Sequence, residues 1–364
     1  MVSFRSTEIP TRSVALKRLL SALAAAAAIA LGAAEAMAQN YRWKMVVISN
    51  ENSVYTTVFA KPYADKVAEL TNGRVQIEVV PSGVIAPPFQ EYAAVSDGLA
   101  DLANVPSIYI YNRDPTNGIL ALPGGMPPVA LLQWLYEGGG QDLWKQYRRD
   151  SLKMHSIIAG VGPTEIVHAH KPIRTVDDLK GVKFRTAGMW ASILKDKFGA
   201  APTVAPVGEI YTQLERKVLD AAEFSTPSEN LILGLQRAAK YIMVPGSHVT
   251  SFPFETVMKQ ERFDALPADI KKAMETAGRL VSFESLLKWQ ALDMKAMETL
   301  RSGGNEIVEY SPELQKAIRD RTREWVYEEV KRQEEKKNPW LKRLADSYYG
   351  YLDYWDKTSV FIAK

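Results

Sequence analysis

Two periods of apolar residues alternate along most of this chain. Residues 43–49 form a short apolar run, whereas residues 56–73 repeat apolar side chains every three or four positions, which is typical of a helix. Residues 74–80 alternate again, and the following stretch predicts a second helix before a short strand, Leu102–Val105. This order predicts a βαβαβ unit with a parallel sheet, whose ligands would bind at the carboxyl ends of the strands.

The same alternation returns in the second half of the chain. Strand patterns over 183–185 and 219–224 enclose helical patterns over 191–198 and 209–217, and residues from 268 onward are almost entirely helical in pattern. We therefore predict an α/β fold with two lobes. The chain changes lobe near residues 160–163 and again near 251–254, so we expect a hinge that is crossed more than once.

The first 38 residues have the composition of an export signal. Lys17 and Arg18 precede an apolar stretch over 19–34, and Ala36-Met37-Ala38 is a small-x-small cleavage sequence. We predict a cleaved signal peptide with a mature chain that starts at Gln39 and works in the periplasm; an uncleaved anchor is the alternative. No later apolar stretch is long enough to span a membrane.

Composition excludes several classes of site. The chain has no cysteine, which excludes disulfides, thiolate metal sites and thiol nucleophiles. Its net charge is +3, and about +1 without the leader, so no nucleic-acid partner is expected. Signatures of serine hydrolases, P-loop enzymes and zinc proteases are absent. His168 and His170 share one face of a strand, but two ligands do not make a metal site.

Two charged residues end predicted strands of the second lobe. Arg185 could bind the carboxylate of a ligand through its planar fork of N–H donors, or form a structural ion pair with an acid such as Asp178. Glu223, followed by Phe224, could line a cleft, where it would accept hydrogen bonds, balance Arg185 or bind a cation. A surface strand end is the alternative for Glu223.

Several stretches together resemble one family, the periplasmic solute-binding subunits of tripartite ATP-independent periplasmic (TRAP) transporters. The matching stretches cover almost all of the mature chain: VSDGLADLAN, WLYEGGGQDLW, KPIRTVDDLKGVKFR, GEIYTQLERKVLDAAE and AAKYIMVPG. The GGGQDLW stretch looks most like the subgroup that binds 2-oxo acids and related monocarboxylates. The resemblance implies two α/β lobes, a long lobe-spanning helix and further C-terminal helices.

The resemblance also implies a ligand site. Arg185 would bind the ligand's carboxylate, and Glu223 with Phe224 would lie at the ligand and at a bound sodium or calcium ion, where the subgroup has Glu-Trp. No other cofactor is implied. Thr164, beside Glu165, stands where the subgroup has a glutamine. The ligand residues implied or expected from strand ends are Arg185, Glu223, Phe224, Thr164, Glu165, Tyr109, Asn104 and Asn50.

The function implied is capture of a small organic carboxylate, a 2-oxo acid or related monocarboxylate, aromatic acids included, and delivery to a TRAP permease in the membrane. A sensor for a membrane receptor and a periplasmic enzyme are the alternatives. The expected division is 1–38 signal peptide, 39–163 with about 251–285 lobe I, 164–250 with about 286–345 lobe II, and 346–364 a helical tail. A homodimer through the C-terminal helices is an alternative to a monomer that buries Tyr348, Tyr351 and Trp355 on its own lobes.

Overall fold

The computed structural model describes residues 40–361, so the predicted signal peptide lies outside the described residues. The strands are β1 Tyr41–Val47, β2 Val75–Val80, β3 Leu102–Val105, β4 Met154–Gly162, β5 Val167–Ala169, β6 Lys183–Arg185, β7 Ala201–Thr203, β8 Ala221–Glu223, β9 Tyr241–Val244, β10 Phe252–Lys259 and β11 Glu306–Glu309. The helices are α1 Lys61–Leu70, α2 Glu91–Ser96, α3 Pro128–Tyr136, α4 Gly140–Leu152, α5 Met189–Phe198, α6 Val207–Glu215, α7 Pro227–Leu233, α8 Leu235–Ala238, α9 Gln260–Asp264, α10 Ala268–Ser302, α11 Pro312–Glu335 and α12 Trp340–Thr358. A π-helical segment, Tyr55–Ala60, runs into α1. No helix among the described residues is long and apolar enough to cross a membrane.

Five strands form the first sheet, in the order β2-β1-β3-β10-β4. As predicted, β1 pairs with β2 and β3 in parallel. The returning strand β10 runs antiparallel to β3 and β4, which the local pattern did not predict. All nine residues of β4 are buried, because helices cover this part of the sheet on both sides.

Six strands form the second sheet, in the order β11-β9-β5-β8-β6-β7. β6 and β8 are parallel neighbours, so their carboxyl ends meet at one edge. The prediction of an almost wholly helical C-terminal part missed β11, which pairs with β9 at the far edge of this sheet. Edge pairing of a four-residue strand depends on a distant partner, which explains why local periodicity does not reveal it.

The chain passes between the sheets through two segments that pair with each other. One joins β4 to β5 and the other joins β9 to β10. The Glu165 main-chain N–H donates to the Val249 carbonyl, and the Thr164 hydroxyl donates to the Thr250 carbonyl at 2.9 Å. Gly246 lies so close to Glu165 that a Cβ at this glycine would be 1.8 Å from the Glu165 carbonyl oxygen. These two segments, called the hinge segments below, are therefore packed tightly against each other.

Helix α10 spans both halves of the molecule. Its N-terminal half packs on β4, where Ser282 accepts a hydrogen bond from the Gly160 N–H. Its C-terminal half contacts the part of the molecule around the second sheet, where the Asp293 carboxylate accepts hydrogen bonds from Ser228 at the start of α7. With 35 residues at 1.5 Å each, α10 is about 52 Å long.

A buried ion pair organises the core beside the first sheet. The Arg148 guanidinium of α4 makes three hydrogen bonds to Glu255 of β10, two through Nε at 2.9 and 3.0 Å and one through Nη2 at 2.5 Å. Tyr92, Trp144 and Ser156 also donate to the Glu255 carboxylate. Burial alone would raise the pKa of Glu255, but Arg148 and these donors hold that pKa below its usual value.

The C-terminal helices pack on the chain itself. Tyr348 of α12 is buried, and its hydroxyl accepts a hydrogen bond from the Met126 N–H at 2.6 Å. Of the other two aromatic residues in the predicted stripe, Tyr351 packs closely against Gly138 and Trp355 lies at the edge of the same core. Tyr354, whose ring centroid lies 6.0 Å from that of Tyr351, is 61% exposed.

Candidate functional site

Arg185 and Glu223 end neighbouring parallel strands, β6 and β8. Because the carboxyl ends of parallel strands meet at one edge, both side chains reach the same cavity between the two sheets. The wall beside the first sheet includes Tyr55, Ser107, Tyr109, Phe252 and Phe254. The wall beside the second sheet includes Arg185, Trp190, Glu223 and Phe224, with Glu165 and Val249 from the hinge segments.

The Arg185 guanidinium is buried and held by main-chain carbonyls. Its Nε and Nη2 donate to the Ala205 oxygen at 3.1 and 2.8 Å, and its Nη1 donates to the Glu223 main-chain oxygen at 2.7 Å. A guanidinium has five N–H groups, so one remains on each terminal nitrogen. N–H groups on neighbouring guanidinium nitrogens can bind a carboxylate bidentately.

Asp178 is not the ion-pair partner of Arg185. Its exposed carboxylate accepts from the N–H groups of Arg174 and Thr175 and caps that turn. The carboxylate that lies closest to Arg185 is that of Glu223, with Oε1 3.8 Å from Nη1, beyond hydrogen-bond distance. Glu223 Oε1 instead accepts from the Ala187 N–H at 3.1 Å.

Three side chains of types that can ligate a metal ion lie together near Arg185. The donor atoms of Glu165, Glu223 and His248 all lie within 4.8 Å of one another, and all three residues are buried. His248 Nε2 lies 3.4 Å from Glu165 Oε2 without the alignment of a hydrogen bond. Burial, then the nearby Glu223 carboxylate, raises the pKa of Glu165 well above its usual value, and burial lowers the pKa of His248 to about 4.

This cluster fits a cation. Glu165 Oε2 and both ring nitrogens of His248 are buried without a hydrogen-bond partner among the described residues. Buried polar atoms are normally satisfied, so three unsatisfied atoms in one cluster indicate a missing partner. Phe224, predicted beside Glu223 at the cation, has a side chain without a ligating atom and could contribute only its main-chain oxygen.

Aromatic rings form much of the remaining cavity wall. Phe224 lies edge-on to Tyr55 and 5.6 Å from the Arg185 guanidinium carbon. Burial raises the pKa of Tyr109, although Arg185 opposes this rise, so the phenol stays protonated and can donate. Tyr55 is engaged elsewhere, since its hydroxyl donates to Ser225 at 2.9 Å.

The cavity is small in this conformation. Its volume is about 30 Å³, which is space for about two water molecules at roughly 10–15 Å³ each. The two walls therefore lie close together in this conformation.

Five of the eight predicted ligand residues line this cavity: Arg185, Glu223, Phe224, Glu165 and Tyr109. Thr164 instead lines an open groove of about 1020 Å³ beside α10. The Asn104 amide donates to the Thr256 hydroxyl of β10 and to the Ala159 carbonyl of β4, so it is engaged within the first sheet. The Asn50 side chain is exposed and accepts a hydrogen bond from the Asn52 N–H. The roles assigned to the eight residues stay predictions.

His248 and Trp190 were not among the predicted residues. His248 belongs to the second hinge segment, and its approach to Glu165 follows from the pairing of the two segments. A histidine beside Pro245-Gly246, where the chain returns across the hinge, was the available signal. Trp190 follows the Arg185 strand by one short turn and begins α5, so its position at the same edge of the sheet could have been predicted.

Comparison with known proteins identifies the family. Residues 45–333 match the model of the bacterial extracellular solute-binding protein family 7. The chain belongs to this family. A monocarboxylate 2-oxoacid-binding periplasmic protein of Nostoc sp. is 30% identical over 283 residues, which are 76% of each chain.

Two solved structures share the fold. A TRAP periplasmic solute-binding protein from Pseudoalteromonas atlantica, with bound sodium and pyruvate, is 26% identical with a TM-score of 0.81 and covers 89% of this chain and 97% of its own. One from Colwellia psychrerythraea, with bound calcium and pyruvate, is 25% identical with a TM-score of 0.81 and covers 89% and 98%. The predicted two-lobed α/β fold and TRAP family are confirmed. Family 7 proteins are solute receptors, so family membership favours binding over the enzyme alternative.

Proposed function

We propose that this protein captures a small organic carboxylate in the interlobe cavity and delivers it to a TRAP permease. The observation that carries the proposal is Arg185: a buried guanidinium at the cavity wall with one uncommitted N–H on each terminal nitrogen. Glu223 Oε1 lies 3.8 Å from Nη1, beyond hydrogen-bond distance, whereas a ligand carboxylate would accept directly from the remaining N–H groups. Similarity to the 2-oxoacid-binding Nostoc protein supports a 2-oxo acid or related monocarboxylate.

The lobes that close on the ligand correspond to the two sheets. The proposed division, 39–163 with about 251–285 and 164–250 with about 286–345, is supported by the strand membership of each sheet. Closure would bring the Tyr109 wall against the Arg185 wall and exclude water, which strengthens the ion pair between Arg185 and the ligand.

A bound cation belongs to the proposed site. The pyruvate-bound relatives hold sodium or calcium, and the cluster of Glu165, Glu223 and His248 offers buried donors beside the carboxylate position. Of the two residues that the sequence predicted at the cation, Glu223 and Phe224, only Glu223 belongs to this cluster. A cation here would offset the negative charge of Glu223 and favour the ionised form of Glu165.

The proposal also includes export of the protein by a leader at residues 1–38 that is then cleaved. It further includes the assembly of two chains into a dimer. Because Tyr348 is buried within its own chain, the homodimer that we propose uses the outer surface of the C-terminal helices, where Tyr354 and Val360 are exposed. Light scattering on the mature protein should give the mass of a dimer; the mass of a monomer would overturn this part alone.

The test is a binding screen of the mature protein by thermal shift and calorimetry. The panel contains 2-oxo acids, dicarboxylates and aromatic carboxylates, each with and without sodium and calcium. A bound ligand raises the melting temperature by mass action. Arg185→Ala should abolish the response, while Arg279→Ala, an exposed pair with Glu137, should leave it unchanged.

A second variant distinguishes a loss of ligand binding from a loss of folding. Arg185→Lys keeps the charge but loses the planar fork, so it should fold and bind at least tenfold more weakly. If folded Arg185→Lys and Arg185→Ala bind the carboxylate as the wild type does, the arginine is structural and the proposal fails.

A further inference from the structure

We infer that Trp190 is a specificity-determining residue of the interlobe cavity, whose indole N–H donates a hydrogen bond to an oxygen on the carbon next to the ligand's carboxylate. The inference rests on the proposed function and deepens it, because it specifies a second group that the ligand must carry besides the carboxylate bound by Arg185.

The indole nitrogen of Trp190 is a buried donor without an acceptor. Trp190 is 5% exposed, and its Nε1 has no hydrogen-bond partner among the described residues. Other buried indole N–H groups each donate to a side-chain oxygen, namely those of Trp134, Trp144, Trp289 and Trp325. Because a buried N–H group that lacks a partner costs free energy, we expect an acceptor for Trp190 in the ligand-bound protein.

Trp190 lies on the cavity wall in the first turn of α5. This helix begins at Met189, shortly after Arg185 ends β6, and all three residues line the cavity. The ring of Phe198 lies edge-on to the Trp190 indole, with 5.6 Å between the ring centroids, but it carries no oxygen. We therefore place the acceptor of the Trp190 N–H in the cavity.

The start of α5 packs closely against segments from the first half of the chain. A Cβ at Gly188 would lie 3.0 Å from the Ile108 Cβ, and a Cβ at Gly118 would lie 2.8 Å from the Met189 Cε. Trp190 follows these two contacts directly in the sequence. Its indole is therefore held in a packed region where the two halves of the chain meet, as a specificity-determining group requires.

The chemistry of the indole defines what it can recognise. An indole N–H only donates, so the ligand group at Trp190 must accept, as an oxo or hydroxyl oxygen does. An ammonium group also only donates, so a 2-amino acid would leave both groups without a partner there. Because the cavity has a volume of only about 30 Å³, we place the accepting oxygen beside the carboxylate that binds Arg185.

The experiment compares the mature wild type with Trp190→Phe by calorimetry. The probes are four acids of equal chain length: 2-oxobutanoate, 2-hydroxybutanoate, butanoate and 2-aminobutanoate. We expect the wild type to bind an oxygen-substituted acid at least tenfold more tightly than butanoate or 2-aminobutanoate. Trp190→Phe should weaken binding of the oxygen-substituted acid at least tenfold and should change butanoate binding less than twofold, because a buried donor discriminates against analogues that lack its acceptor.

A nitrogen-15 spectrum of the wild type gives a readout that a merely structural role of Trp190 would not change. The chain has eight tryptophans, and the indole signal that is lost in Trp190→Phe belongs to Trp190. We expect 2-oxobutanoate to shift this signal downfield, as hydrogen-bond formation does, and butanoate to shift it less. Should Trp190→Phe fail to fold, Trp190→Tyr identifies the same signal.

Trp340→Phe is the matched control, because Trp340 is half-buried on α12 and does not line the cavity. This variant should change the affinity for none of the four acids.

Three results would overturn the inference. The first is equal weakening of butanoate and the oxygen-substituted acids in Trp190→Phe. The second is an indole signal that stays in place when ligand binds, which would mean that the N–H faces the Phe198 ring. The third is a wild type that binds none of the four acids or prefers 2-aminobutanoate. The proposed function is still supported after each of them if a carboxylate of the wider screen binds and loses its binding in Arg185→Ala.

Discussion

The Arg185 guanidinium binds the main chain of Glu223 and leaves its carboxylate free: Nη1 is 2.7 Å from the carbonyl oxygen and 3.8 Å from Oε1. Glu223→Gln should therefore keep Arg185 in place, because the amide oxygen can still accept from Ala187. We expect the free energy of unfolding to change by no more than about 1 kcal/mol, the net value of one hydrogen bond. Cation binding should fall at least tenfold. Thermal unfolding and calcium titration of the same sample check both, and a variant that unfolds would show that the carboxylate itself supports the strand edge.

Buried His168 predicts a pH dependence of stability. Burial lowers its pKa to about 3, and neither ring nitrogen has a hydrogen-bond partner among the described residues. The unfolded chain binds a proton at this residue below about pH 6.5 while the folded chain does not. Stability therefore falls as pH decreases from 6.5 toward 3, by about 1.4 kcal/mol per pH unit for this group.

Urea unfolding from pH 7.5 to 4.5 tests this dependence. His168→Leu should flatten the slope by about one proton, while His170→Ala should keep it. At pH 7.5, His168→Leu should cost little, because it removes two unsatisfied nitrogens from the interior. An unchanged slope in His168→Leu would mean that His168 is protonated in the folded protein.

The Arg148–Glu255 pair should be one of the most sensitive positions in the core. Glu255→Ala leaves the buried guanidinium without its partner, which costs about 3–5 kcal/mol. Asp320→Ala removes an exposed pair with Lys316 and should cost no more than about 1 kcal/mol. Chemical unfolding measures both, and a small effect of Glu255→Ala would indicate that water reaches Arg148.

Close approach of the hinge segments makes Gly246 intolerant of substitution. A Cβ would lie 1.8 Å from the Glu165 carbonyl oxygen, so Gly246→Ala must push the segments apart. We expect a loss of about 1–3 kcal/mol, the usual cost of overpacking. Metal affinity should fall as well, because Glu165 and His248 separate.

Gly208→Ala is the control for this substitution. Gly208 lies in α6, where a Cβ meets nothing within 4 Å, so alanine should be neutral or stabilise by about 0.5–1 kcal/mol. If Gly246→Ala retained both stability and metal binding, the hinge segments would have to be more adaptable than their packing suggests.

The sequence predicts the residues of the site that lie at the ends of strands. Arg185 and Glu223 follow apolar strands of one parallel unit, so the rule for parallel sheets brings them to one edge. The same rule placed Asn104 at the site too, but β3 ends one residue later, and the amide of Asn104 bonds to the neighbouring strand β10. β11 depends on pairing with the distant strand β9, for which a local pattern carries no signal, and the place of His248 beside Glu165 depends on the pairing of the two hinge segments.

Helix α10 provides a fixed internal distance in this protein. Its length of about 52 Å is fixed by the helical rise, so two spectroscopic labels on exposed positions of α10 report a constant distance. The chain has no native cysteine, so labels can be attached at introduced cysteines alone. A third label near Tyr109 would then separate lobe rotation from changes in label geometry, and domain movement could be calibrated within a single molecule.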